Sequence, residues 1–295
     1  MKYRYLLLIF LPFFSISGDF RVEPDRYPND FTIVDKHCML RGGNVFSSDA
    51  TNTVISDEEF YSGTKSIKMT VKKGTLGFGS FGGVINFKHC LPDTPRLYKG
   101  DEVWVRLRLY VPENFEYNKN GRNKFLRFRS FHVEDGKYVS DGYNDVYLDS
   151  HNLNDSTATP FDYIYEGKQR WYQFGKPTDF LSQGKWETVE YYLKLDDKSR
   201  SEGGNPIMRF WKNGQLIGET YDRANLKSAN TFISALYIFT YWDNKGAHKT
   251  QSLFVDDFFL TTNFPSDFDS NGNRYIGMGN GHTTPWQTMK CPVVE

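Results

Sequence analysis

Asn123-Lys124-Phe125-Leu126-Arg127-Phe128-Arg129-Ser130-Phe131-His132 alternates apolar and polar residues. Tyr143-Asn144-Asp145-Val146-Tyr147-Leu148-Asp149, Phe161-Asp162-Tyr163-Ile164-Tyr165 and Trp171-Tyr172-Gln173-Phe174 repeat the habit. Period-two alternation marks a half-buried strand. As strands, these runs put Arg127 and Arg129 on one face, as they do Tyr143, Asp145, Tyr147 and Asp149, and Tyr163 with Tyr165. A solvated sheet face normally carries Thr, Ser, Lys and Glu. One that carries Arg, Lys and many Tyr suits an acidic, ring-shaped ligand. The competing reading is cross-strand Arg–Asp and Arg–Tyr pairing, with Tyr present for its strand propensity.

Further strands are expected at Ser66–Val71, Gly83–Phe87, Glu102–Val111, Trp186–Leu195, Ile207–Trp211, Gln215–Thr220, Ile233–Trp242 and Ser252–Thr261, with Asn213-Gly214 as a hairpin signal. Helical periodicity is confined to short stretches near Asp57–Tyr61 and Asp222–Leu226. Aromatics make up 17% of the 295 residues, which favours sheets. About a dozen strands in one uninterrupted chain predict an all-β, two-sheet antiparallel jelly-roll sandwich, with an up-and-down barrel as the alternative. The sandwich is expected over 19–262. An irregular tail, 263–295, lacks the apolar mass for its own core and is expected to pack on the same domain.

Residues 1–18 read as a secretory signal: Lys2 and Arg4, an apolar run from Leu6 to Phe14, then Ser15, Ser17 and Gly18. A secreted or periplasmic protein is expected. No run is long enough for a membrane-spanning helix. Removing Lys2 and Arg4 leaves 34 basic against 36 acidic residues, a net charge near −2. No global positive field exists for nucleic acid, so anion binding must be local. Of Cys38, Cys90 and Cys291, one pair is expected in an oxidising compartment, with Cys38–Cys90 preferred because both precede the sheet-rich middle. A monomer is expected.

The Arg/Tyr face meets the needs of β-elimination on a uronate. Arg127 and Arg129 offer forked donors for the C6 carboxylate, Tyr163 and Tyr165 a base and an acid, with Lys124 and His132 in support. Parity sets His132 with Leu126 and Phe128, toward the core unless a bulge turns it. His151 is the other histidine worth testing. Tyr143, Tyr147, Trp171, Arg209 and Tyr241 are candidate sugar contacts, and Trp211 offers a stacking ring. Glu187 and Glu190 fall on opposite faces of one strand, which weakens a paired-carboxylate hydrolase. Asp256-Asp257 is a candidate structural calcium site, although no cofactor is required. Asp267-x-Asp269-x-Asn271-Gly272 begins like a calcium loop, but Met278 stands at its twelfth position, so it reads as a turn.

Five phrases follow one another in order: Gly-Thr-Lys-Ser-Ile-Lys-Met (63–69), Trp-Val-Arg-Leu-Arg-Leu-Tyr-Val-Pro-Glu-Asn-Phe (104–115), Gly-Lys-Trp-Glu-Thr-Val-Glu-Tyr-Tyr-Leu-Lys-Leu (184–195), Arg-Phe-Trp-Lys-Asn-Gly-Gln-Leu (209–216) and Ser-Leu-Phe-Val-Asp-Asp-Phe-Phe-Leu-Thr-Thr (252–262). Together they resemble the secreted jelly-roll polysaccharide lyases of the concanavalin-like superfamily, the alginate and glucuronan lyase type. The resemblance implies a concave sheet on which Lys124, Arg127 or Arg129, and the pair Tyr163 and Tyr165 act on an acidic polysaccharide. The family's Gly-Lys-Leu-Pro-Gly phrase is replaced here by Gly121-Arg122-Asn123-Lys124-Phe125. A non-catalytic carbohydrate-binding sandwich and a glycoside hydrolase of the same fold are the alternatives.

Overall fold

Alternation sorts the apolar side chains of each strand onto one side, and two such sheets close over them. The computed structural model describes residues 18–26, 52–78, 81–91, 93–117, 122–149, 159–165, 169–174, 181–198, 204–221, 224–242 and 246–279. The strands in chain order begin with β1 (Asp19–Val22), β2 (Thr53–Ser56), β3 (Ser66–Val71), β4 (Gly77–Phe78), β5 (Gly83–Asn86) and β6 (Glu102–Tyr110). The middle of the chain supplies β7 (Arg122–Glu134), β8 (Lys137–Asp149), β9 (Thr159–Tyr165), β10 (Gln169–Gln173) and β11 (Trp186–Lys194). Then come β12 (Ile207–Lys212), β13 (Gln215–Thr220), β14 (Phe232–Trp242), β15 (Gln251–Thr261), β16 (Asp267–Phe268) and β17 (Arg274–Tyr275).

One sheet runs β13-β12-β11-β6-β15-β3-β2, with β1 also on β15. The other runs β10-β9-β8-β7-β14-β4, with β5 also on β14. All these strand pairings are antiparallel, as a jelly-roll sandwich requires. Between the sheets lie Val103, Val105, Leu107 and Leu109 of β6 and Val189, Tyr191 and Leu193 of β11. They meet Leu126 and Phe128 of β7, Val146 of β8, and Leu236 and Ile238 of β14. The Phe128 and Tyr191 rings touch across the gap at 6.1 Å. Each such fully buried side chain contributes about 1.5–3 kcal/mol.

Turn chemistry closes two hairpins. Asn213 and Gly214 take φ of 49° and 77° between Lys212 and Gln215, the mirror-image turn that matches strand twist. Asp135 and Gly136 do the same, at 49° and 73°, between Glu134 and Lys137. That Asp-Gly signal extends β8 upstream of Tyr143, where the legible alternation begins. No helix forms at Asp57–Tyr61. The described α-helix is one turn, α1 (Phe87–Cys90), capped by the Asn86 side chain accepting from Lys88 N. Cys90 is buried, while Cys38, Cys291 and most of the signal-like stretch lie outside the described residues.

The outer face of the eight-stranded sheet is covered by residues 263–279. Trp104, Tyr192, Trp211 and Ile276 form a second apolar cluster there. Trp104 Nε1 donates to Arg274 O at 3.2 Å, Arg106 Nη1 to Gly277 O at 3.0 Å, and Trp211 Nε1 to Asp269 Oδ2 at 2.8 Å. Asp269 also accepts from Asn271 N and Asn273 N at 2.8 Å each, so this loop is an Asx-rich turn. Glu190 accepts from Ile276 N at 2.6 Å and Gly277 N at 3.1 Å.

Burial raises the Glu190 carboxyl to about 8, against the opposing pull of those two N–H groups and Arg106. Its folded value thus lies above its unfolded one of 4.5. The folded state binds the proton more tightly, so Glu190's contribution is full at acid pH and is lost as pH rises from about 4.5 to about 8. Glu190→Gln is expected to flatten the fall in thermal stability between pH 5 and pH 8, read by calorimetric unfolding of both proteins at each pH.

Candidate functional site

The outer face of the seven-stranded sheet is built from aligned rows. One row reads Tyr237–Arg127–Asp145–Tyr163–Trp171 across β14, β7, β8, β9 and β10. The next reads Ala235–Arg129–Tyr143–Tyr165–Gln169, and a third Tyr241–Lys124–Tyr147–Phe161–Gln173. Residues opposite each other in an antiparallel ladder occupy same-face positions. The register therefore assembles the sequence-selected Arg, Lys, Tyr and Trp positions on neighbouring strands.

Lys124 joins this face through a backbone irregularity. Its parity differs from that of Arg127, and in an unbroken strand it would point the other way. The register shifts between Lys124 and Leu126 on β7, opposite a shift between Ile238 and Tyr241 on β14. Phe125 is the extra residue, and both Phe125 and Leu126 turn into the core. The Phe125 ring packs at 4.7 Å on Phe239, whose φ is 45°. Lys124 Nζ consequently lies 5.4 Å from the centroid of the Tyr143 ring, and the Arg127 guanidinium 3.9 Å from the same ring.

Arg127 does not offer its fork outward. It is 2% exposed, and its Nε donates to both oxygens of Asp145 at 2.8 and 2.9 Å while Nη2 donates to Oδ2 at 2.6 Å. Burial pushes the Asp145 carboxyl up, and Arg127, then Lys124 and Arg129, pull against it. The expectation that Arg127 clamps a substrate carboxylate is thus corrected: its fork is occupied by a fully buried neighbour. Arg129 is differently placed. Its Nη2 donates to Ser140 Oγ at 3.1 Å, its guanidinium sits 5.3 Å over Phe131, and its Nε is buried with no hydrogen-bond partner among the described residues.

Lys124 is 8% exposed. Burial, then the positive charge of Arg127, lowers its pKa to about 8, with Asp145 opposing and Arg129 adding to the shift. An amine at that value is partly neutral near physiological pH and can accept a proton. Among the described side chains, three cations, Lys124, Arg127 and Arg129, and one carboxylate, Asp145, share this part of the face.

The other candidates lie elsewhere. His132 stays on the inward-facing parity, because the second register shift adds Asp141 to β8 rather than a residue to β7. Its Nδ1 lies 2.8 Å from Asp141 Oδ1, and Asp141 also accepts from Lys227 Nζ at 2.9 Å and Thr231 Oγ1 at 2.6 Å. Burial raises the Asp141 carboxyl, but Thr231, Lys227 and His132 outweigh it and hold it below the usual range. His132 therefore belongs to a structural polar knot, away from Lys124. Arg209 sits on β12 of the opposite sheet, paired with Glu219 at 3.0 Å and stacked 5.3 Å over Tyr192, so it cannot contact the same ligand. Trp211 is buried under the 263–279 segment. His151 lies outside the described residues.

Asp256 and Asp257 do not fit a calcium ion. Asp256 accepts from the backbone N–H groups of Tyr61, Ser62 and Asp257, and Asp257 faces Ser62 Oγ and Arg108. Donors surround them where a hard cation needs oxygens. Burial, with Asp257 adjacent, raises the Asp256 carboxyl to about 6. Among the described residues no three His, Cys, Asp or Glu side chains gather as a metal would require.

No protein-family model matches the chain, and no curated protein sequence matches it. Among solved structures, a double mutant of alginate lyase Aly36B bound to an alginate trisaccharide aligns with a TM-score of 0.59 at 14% identity. That alignment covers 84% of this chain and 99% of the lyase. Alginate lyase vAL-1 from Chlorella virus aligns with a TM-score of 0.54 at 13% identity, over 79% and 97% of the two chains. The sandwich is similar to that of alginate lyases. At these identities the likeness is one of fold, and it agrees with the jelly-roll lyase resemblance of the sequence phrases.

Tyr237, like Phe131 and Tyr138, belongs to the face without having been expected there. Tyr237 heads the Arg127 row and lies 6.0 Å from the Arg129 guanidinium, and its shared parity with Tyr241 was the available signal. Arg127→Ala is expected to destabilise the fold by about 3–5 kcal/mol, because it strands the Asp145 charge in the interior. Denaturant unfolding of Arg127→Ala beside Arg127→Met/Asp145→Leu checks this, the double variant recovering most of the loss. Equal stability of Arg127→Ala and the parent chain would contradict the pair's structural role.

Proposed function

We propose that this protein is a secreted or periplasmic polysaccharide lyase that cleaves a uronate-containing acidic polysaccharide by β-elimination. The observation that carries this reading is Lys124, turned by the Phe125 bulge onto the face of Arg129 and held near a pKa of 8. In the proposed reaction Arg129 pairs with the C6 carboxylate, which acidifies the C5 proton. Neutral Lys124 takes that proton, the electron pair forms the C4=C5 bond, and the C4–O4 bond breaks. Tyr163 or Tyr165, at register positions opposite Asp145 and Tyr143, is the proposed acid that protonates the departing O4. Arg127, locked to Asp145, keeps Lys124 from holding its proton too tightly. The solved structures named above, described as alginate lyases, share the fold and support the substrate class.

The test is absorbance from the new C4=C5 bond during incubation with alginate, glucuronan, pectate and glycosaminoglycans. A rise is expected on at least one polyuronate. Silence on every polymer, with binding retained, would make the protein a carbohydrate-binding module instead. Lys124→Ala is expected to lower kcat by about 10²–10⁴-fold. Arg129→Ala should lower kcat as well as raise KM, because its pairing with the carboxylate strengthens as the C5 proton leaves. Activity of the parent enzyme should climb as pH rises through about 8, since only the neutral amine accepts the proton. A pH profile without that rise would remove Lys124 from the role of base.

A further inference from the structure

The far end of the same face carries a second cluster that this mechanism leaves unused. Leu97 bridges Ile233 in both directions, N to O at 2.8 Å and O to N at 2.9 Å, beside the end of β14. Leu97 is 1% exposed, so Arg96 and Tyr98 on either side of it turn the opposite way. There the Arg96 guanidinium lies 4.5 Å over the Phe232 ring and 5.2 Å over Tyr138. Its Nε and Nη2 donate to Tyr138 Oη at 3.1 and 2.6 Å, and its Nη1 donates to Tyr98 Oη at 3.2 Å.

An aromatic ridge ties this cluster to the proposed site. Tyr138 packs on Phe131 at 5.7 Å and on Phe232 at 5.2 Å, and Phe131 carries the Arg129 guanidinium at 5.3 Å. Phe131 is two residues beyond Arg129, and Val133, which pairs with Tyr138, is four beyond it. That is about 7 and 14 Å along a strand rising about 3.4 Å per residue. Lys124 lies nine residues before Val133, about 30 Å along the strand, a span for a long chain and not for a trisaccharide held at Lys124.

Two features separate the cluster from an ordinary solvated edge. Tyr138 and Tyr98 expose 51% and 42% of their surface, so ring area is held open to solvent beside a fixed cation. Among the described residues no carboxylate pairs with Arg96, whose hydrogen bonds go to phenols. Of its five N–H donors, one on each terminal nitrogen stays available for a carboxylate.

We infer that Arg96, Tyr98 and Tyr138 form a distal subsite that holds a second uronate of an acidic polysaccharide, its carboxylate on Arg96 and its ring against Tyr138. The inference rests on the polyuronate reading of this face but not on catalysis there. It makes the protein a reader of chain length: polymers reach from Lys124 to Arg96, and short oligomers do not.

Calorimetric titration of the full protein with alginate and glucuronan, each as polymer and as trisaccharide, tests it. Arg96→Ala and Tyr138→Ala should each weaken polymer binding about five- to tenfold, and leave trisaccharide affinity within about twofold. Tyr98→Ala serves as a third variant should either of the others fail to fold, as judged by circular dichroism. Unchanged polymer affinity, an equal loss on both lengths, or a parent protein that binds neither polymer would overturn the subsite. Absorbance at the new double bond is followed in parallel. Binding that depends on Arg96 without any absorbance defeats the lyase reading and keeps the subsite. Turnover with polymer affinity indifferent to Arg96 does the reverse.

Discussion

A carboxylate with no access to water must be paired with a cation, hydrogen-bonded or protonated, and buried Asp145 is met by the Arg127 guanidinium. The Arg127 fork grips both of its oxygens across β7 and β8, which penalises any slip in their register because a slip would leave two buried charges unpaired. With that register held, Tyr143 lies under Arg127, Lys124 reaches the same ring, and β9 places the Tyr163 and Tyr165 positions in the adjoining column. The pair is a structural device at the centre of the face. Burial depresses the Lys124 pKa most, the pair's positive half adds to the shift, and its negative half opposes it.

Around this pair, irregularities in the ladder decide which side chains share a surface. The Phe125 shift reverses parity for Lys124 and sends two consecutive apolar residues inward, where Phe239 in a left-handed backbone conformation receives one of them. At the other end the Asp141 shift preserves the parity of β7. Phe131 therefore continues the row of Arg127 and Arg129, while His132 remains inward. Two local bulges thus convert a regular strand into a face with an amine at one end and an aromatic ridge at the other.

The two outer faces of the sandwich have different fates. On the eight-stranded sheet, Trp104, Arg106, Glu190 and Trp211 hold the 263–279 segment through hydrogen bonds to its backbone and to Asp269, so that surface is occupied by the chain itself. On the seven-stranded sheet, among the described side chains, Arg127 pairs with Asp145, and Arg127 and Lys124 lie against the Tyr143 ring. Near the far end of that sheet the Tyr98 and Tyr138 rings stay exposed beside Arg96.

The amino-acid sequence by itself determined an antiparallel all-β domain, because alternation fixes which side of each strand is apolar, and it favoured a two-sheet sandwich over a barrel. It also placed Arg127, Arg129, Tyr143 and Asp145 together, since they share parity within uninterrupted pairs. Alternation alone did not explain how Lys124, expected there through the family resemblance, joins them, because a bulge is decided by packing of Phe125 against Phe239, more than a hundred residues away. Nor did it separate Arg209 or the Asp256–Asp257 pair from the face, because sheet membership depends on strand order, and strand order is a tertiary property. Whether Arg127 served a ligand or a neighbour was equally open in the sequence, where both readings use the same residues. The fold decided it by burying Asp145 within reach of the fork, where an unmet charge is far more costly than at a surface.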